Sequence, residues 1–208
     1  MIEHKGLPVL GFAAQQAWNT WLGRNGKTSP GLWVKLAKKG SGVSSISKAE
    51  AIETAIAHGW IDGQLDKYDE RFWLVRFTRR GAKSRWSKIN RATAIKLIEQ
   101  KRMKPAGQRE VDLAKSDGRW DAAYASQSKA VVPRDLAAAL NAKPAAKSFF
   151  ATLTGANRYA ILYRVNTAKN AKIRAERILK FVDMLARGET IHGSKNKAGP
   201  MQPLTKRR

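Results

Sequence analysis

Two adjacent arginines, Arg79 and Arg80, precede a turn through Gly81, and Ser84 and Ser87 lie at or just before the expected start of a helix. A helix start offers unpaired N–H groups and the positive end of a dipole, so anions bind there readily. Arginine adds planar, paired donors that match phosphate or carboxylate. Trp60, Trp73 and Trp86 supply aromatic faces nearby, and Asn90 sits on the first turn of the expected helix. These residues make a candidate site for an anion or a nucleotide-like ligand. The competing reading is structural: Ser87 merely caps the helix, the tryptophans are core and the arginines are solvated.

Asp62, between Trp60 and Gly63, stands out among the carboxylates of a basic chain. It suits a ligand contact or a general base, and it equally suits an ion pair with Arg76 or Arg79. No second carboxylate stands at a spacing that would form an acid/base pair. His58, just before Gly59 at a helix end, fits a residue that compensates the helix dipole. With three histidines and no cysteine, neither a metal site nor a disulfide is expected. Neither a P-loop nor a dinucleotide fingerprint occurs, and Ser84 and Ser87 lack the glycine-flanked elbow of a hydrolase nucleophile. No cofactor is expected, and binding is favoured over catalysis. An enzyme built on the Asp62, Arg79 and Trp86 neighbourhood remains an alternative.

The elements that would carry these residues read as follows. A first helix fits about Phe12–Arg24, with Ala14, Ala17, Trp18, Trp21 and Leu22 on one stripe. Leu32–Leu36 reads as a short strand. Ser47 with Glu50 three residues on is a capping box, which opens a second helix, and Gly59 suits its end. Trp60–Asp66 and Phe72–Thr78 read as two strands joined by a polar turn, with Asp62 opposite Arg76 if Tyr68–Glu70 is the loop. Ser87 caps a helix to about Arg102. Met103 to Gly107 breaks it, and a further helix spans about Gln108–Ser116.

Pro133 and Pro144 stand where helices start, Thr154 opens another, and the last runs from about Asn170 to Ala186. The class expected is α+β: a mostly helical single domain over residues 1–188, with a small antiparallel sheet of about three short strands in the N-terminal half. Residues 189–208 read as a basic, flexible tail.

The net charge of +24 is the compositional outlier. Residues 1–70 are nearly neutral, with eight Lys/Arg against seven Asp/Glu, whereas residues 71–119 hold fifteen against four. Such a local excess costs stability in a compact fold and points to an anionic partner. An anionic small molecule or surface is the partner expected, with nucleic acid bound nonspecifically through 71–119 as the alternative. Against nucleic acid, no helix-turn-helix, zinc-finger or RRM-type signature is present. No stretch approaches the roughly 20 apolar residues that span a bilayer, and no basic n-region followed by a long apolar run opens the chain. A cytoplasmic protein is expected, and the oligomeric state is open.

Five stretches, taken in order, carry a resemblance. They are Gly59 to Gly63, then Phe77 to Arg80 followed by Ser84 to Asn90, then Arg102 to Gly107, then Ala114 to Trp120, and finally Ala168-Lys169 with Arg174, Arg177 and Ile178. Their order and spacing over about residues 15–188 resemble the YdeI/OmpD-associated (bacteriocin-protection, OmdA-type) family. The chain departs from that pattern at Thr78, where a proline is more usual, at Lys101, where a glycine is common, and at Ile173, where a threonine is usual. The resemblance implies a stress-resistance protein associated by name with protection against bacteriocins and cationic peptides. It brings no catalytic residues, cofactor or ligand with it.

Overall fold

The structure is a computed structural model that describes residues 2–193, so the expected tail lies outside the described residues from residue 194 onward. The chain divides into two compact units, Met1–Ala123 and Tyr124–Arg208.

The first unit is built on a sheet. Its elements are β1 (Glu3–His4), β2 (Leu7–Gly11), α1 (Gln15–Asn25), β3 (Leu32–Ala37), α2 (Lys48–Ala57), β4 (Trp60–Lys67), β5 (Phe72–Arg79), α3 (Lys88–Glu99) and α4 (Pro105–Ser116). The class is α+β, but the expected sheet needs correction. It has five strands, ordered β1-β2-β3-β5-β4, and it is mixed: β2 runs parallel to β3 while the other pairs are antiparallel.

Two features hide the extra strands in the sequence. Lys5 (φ 49°) and Gly6 (φ 73°) form a two-residue turn with both φ positive, the geometry that matches strand twist in tight hairpins. The lysine conceals that signature, and β1 is only two residues long. β2, with Pro8 inside it, reaches β3 through α1, a crossover that leaves no hairpin signal.

The β4–β5 register also differs from expectation. Asp62 stands opposite Phe77, not Arg76. The hairpin closes at Lys67 and Trp73, a longer loop than Tyr68–Glu70, which moves the partners along β5, and an extra residue between the Asp62 and Leu65 pairings brings them part of the way back.

Caps behave as their chemistry dictates. Ser47 Oγ accepts from Glu50 N–H while the Glu50 carboxylate accepts from Ser47 N–H, closing the capping box of α2. Gly59 (φ 75°) follows that helix in the left-handed region. α3 stops at Glu99, short of the expected Arg102, because Lys101 takes φ 55°. Pro105 does not break a helix: it opens α4 as its first residue, where the missing N–H costs nothing. Gly107, buried in that first turn, permits close packing. A Cβ there would sit 2.3 Å from the Ala57 carbonyl oxygen and 2.7 Å from that of Ile56.

One face of the sheet packs on α1 and α2 through Trp18, Leu22, Val34, Trp60, Val75 and Phe77. Trp86, Leu97, Val111 and Trp120 form a neighbouring core with the end of α2.

The second unit is helical among the described residues. A 3₁₀ turn at Gln127–Lys129 precedes α5 (Arg134–Asn141), α6 (Pro144–Thr152), α7 (Gly155–Asn166) and α8 (Ala171–Ala186). Thr154 and Asn170 cap α7 and α8 through their side chains. Ile178, Phe181, Val182 and Leu185 recur at helical spacing along α8 and meet Leu136, Leu140 and Phe150. The Asn157 amide exchanges two hydrogen bonds with the His192 backbone, which pins the chain beyond α8.

A cationic cleft at the meeting of α2, β5 and α4

Four segments of the first unit converge on one cleft of about 390 Å³. The end of α1 gives Gly26 and Lys27, and the turn from α2 into β4 gives His58 and Gly59. The end of β5 gives Arg79 and Arg80, and the first turns of α4 give Ala106, Arg109 and Glu110. The close approach of α4 to α2 builds it. Lys104 N–H donates to the Ala57 carbonyl (3.1 Å), Gly107 lets the helices touch, and a Cβ on Gly59 would collide with the Ala106 carbonyl oxygen at 2.8 Å. The Arg80 N–H donates to the Gly59 carbonyl (2.9 Å), which ties the end of β5 into the same corner.

The arginines are placed by acceptors that leave their charge intact. Arg79 is exposed and gives one guanidinium N–H to the Lys27 carbonyl at 3.0 Å. Arg80 is only 6% exposed, and its guanidinium carbon lies over the Trp86 ring, 3.7 Å from its centroid. That placement is the cation–π geometry suited to arginine. A carbonyl orients a guanidinium without neutralising it. Among the described residues no carboxylate forms an ion pair with Lys27, Arg79 or Arg109, although Glu110 sits in the wall.

His58 reports the resulting field. Burial first, and the nearby Lys104 charge second, lower its pKa below the ordinary histidine value. Its Nε2 lies 2.9 Å from Asn19 Oδ1. An amide oxygen only accepts, so Nε2 carries the hydrogen of the neutral ring.

The residues expected from the sequence to form a site fall into two groups. Arg79 and Arg80 line the cleft, and Trp86 supports it from beneath. Trp60 is core, 1% exposed, and reaches the cleft only by donating its indole N–H to the Gly26 carbonyl at 3.1 Å. Ser87 caps α3 by accepting from Asn90 N–H, and Ser84 Oγ accepts from Gly81 N–H. Those two serines and Asn90 thus serve local structure. Trp73 packs at the edge of the sheet core beneath Lys48. Asp62 is half-buried opposite Phe77, and among the described residues its carboxylate makes neither of the ion pairs expected of it.

Lys27, His58, Lys104 and Arg109 are the contributors that sequence reasoning missed as a site. The one signal for them was Gly107 two residues after Pro105, a small residue where two helix ends touch. Among the described residues no group of three or more His, Asp or Glu could hold a metal ion. No helix among them is long and apolar enough to cross a membrane.

The fold and the cleft describe an α+β unit with a cationic recess, followed in the chain by a helical unit. Residues 129–188 match the family described as bacteriocin-protection, YdeI or OmpD-associated, so the chain carries a YdeI/OmpD-associated domain there. Residues 10–110 match a domain of unknown function (DUF8412). The cleft therefore lies within the stretch whose family has no assigned activity. No curated protein and no solved structure matches the chain.

Proposed function

We propose that the first unit binds a small phosphate-type anion in the cleft between the ends of α1, α2 and β5 and the start of α4. The protective role suggested by the name of the C-terminal domain's family would then be exercised in the cytoplasm through anion binding, not through a reaction. The observation that carries this is the meeting of Lys27, Arg79, Arg80 and Arg109 in one recess, with Lys27, Arg79 and Arg109 unpaired by carboxylate among the described residues. Cations gathered in one concave site attract an anion more strongly than scattered surface lysines do. Direct capture of cationic peptides by a chain of net charge +24 is electrostatically disfavoured.

Titration calorimetry with inorganic phosphate, at about 50 mM and about 200 mM salt, tests the proposal. Binding that keeps a measurable affinity at the higher salt supports the cleft. Affinity only for DNA or RNA, collapsing by orders of magnitude over that range, would favour the nucleic-acid reading instead.

A further inference from the structure

The cationic cleft does not end at its charges. A second recess of about 310 Å³ shares Gly26, Lys27, His58, Ala106 and Arg109 with it and continues along Leu22, Gly23 and Pro105. The chemistry changes along this path. Arg79 and Arg80 stand at one end, and at the other the lining is the buried Leu22, the Pro105 ring, the bare backbone of Gly23 and one further cation, Lys104. A Cβ on Gly23 would meet nothing within 4 Å, so the missing side chain leaves open space at the carbon-lined end.

A ligand that filled only the charged end would leave this apolar space to water. From this juxtaposition we infer that the ligand is a soluble phosphate monoester bearing one compact apolar group, such as a single aromatic ring or a short branched chain. The inference rests on the anion-binding reading above and names its ligand class. A phosphate dianion suits several convergent cations better than a single carboxylate, because it presents three oxygens to planar donors. The second recess is about the size of one ring system, at the small end of ligand pockets. A pair of full-length acyl chains exceeds it.

The test compares three probes on the full chain by calorimetry: inorganic phosphate, phenyl phosphate and water-soluble dihexanoyl phosphatidic acid. Phenyl phosphate is expected to bind about tenfold or more tightly than inorganic phosphate, since burying a ring gains about that factor. Dihexanoyl phosphatidic acid should bind more weakly than phenyl phosphate. Gly23→Leu, which fills the carbon-lined end from an exposed helical position, should bring the ratio of phenyl phosphate to inorganic phosphate affinity to within about twofold. Equal affinity for phenyl phosphate and inorganic phosphate in the unmodified protein would overturn the inference while leaving the anion reading standing. An unchanged ratio in Gly23→Leu would do the same. Tightest binding of the two-chain lipid would overturn the soluble ester. Failure of all three to bind would overturn the anion reading along with it.

Discussion

The cations of the cleft and the ion-paired cations of the second unit are held differently. In the second unit three cations are stitched to acids: Arg174 grips Asp135 through two nitrogens and also donates to the Val165 carbonyl, Lys143 pairs with Asp183, and Arg187 with Glu189. Each pair holds its carboxylate below the ordinary range, with the Arg174 hydrogen bond the leading cause at Asp135. In the first unit, acids are paired away from the cleft, as at Asp66 with Lys5 and His4 and at Glu53 with Arg102. In the cleft, Arg79 is held instead by the Lys27 carbonyl, and Arg80 lies against the Trp86 ring. A cation paired with an acid is neutralised within the fold, whereas a carbonyl orients Arg79 without cancelling its charge.

That contrast can be broken by substitution. The largest effect is expected at Trp86, which is 1% exposed, packs edge-on to Trp120 at 4.9 Å and carries Arg80 on its face. Trp86→Ala should lose about 3–5 kcal/mol in denaturant unfolding, because it opens a cavity in the core. A loss below about 1 kcal/mol would mean that the ring does not support the cleft from the core.

Arg174→Ala should cost the second unit roughly 1–2 kcal/mol, a partly exposed bidentate pair plus one carbonyl bond. Arg109→Ala should stay within about 0.5 kcal/mol of the parent, as is usual for a surface residue, since it pairs with no acid among the described residues. Equal losses from both would erase the distinction between the two kinds of cation.

Lys101→Gly should stabilise the protein by about 1 kcal/mol, since only glycine takes φ 55° without steric penalty. A destabilised variant would mean that the lysine side chain contributes more than its backbone strain costs. The smallest effect concerns His58. Its folded pKa lies below the ordinary histidine value of about 6.5, so between those two values the unfolded chain binds more protons. Stability is therefore full above about pH 6.5 and declines as pH falls through that window. Urea unfolding at about pH 7.5 and about pH 5.5 should show a shallower decline in His58→Gln than in the parent. Identical pH slopes would place the histidine outside the cleft's field.

Much of the scaffold was legible because it rests on local chemistry. The Ser47–Glu50 box, the Ser87 and Thr154 caps and the α8 stripe each depend on residues within one or two turns. The β1–β2 hairpin was hidden because a lysine occupies a left-handed turn position. The partner of Asp62 was misplaced because the β4–β5 loop is longer than its polar turn suggests, while a bulge that residue type does not announce shifts the register part of the way back. Of the cleft, Arg79 and Arg80 were visible as a tandem pair beside a turn. Lys27 and Arg109 were not, since they join the site only once Gly107 lets α4 dock on the end of α2, a contact between distant segments.

The most direct measurement is the calorimetric affinity for inorganic phosphate, at about 200 mM salt, of the parent and of the Arg79→Ala/Arg109→Ala double variant. Two lost charge-assisted contacts should weaken binding by at least about a hundredfold, while the melting temperature stays nearly unchanged. Phosphate binding that survives the double substitution undiminished would contradict the cleft as the anion site.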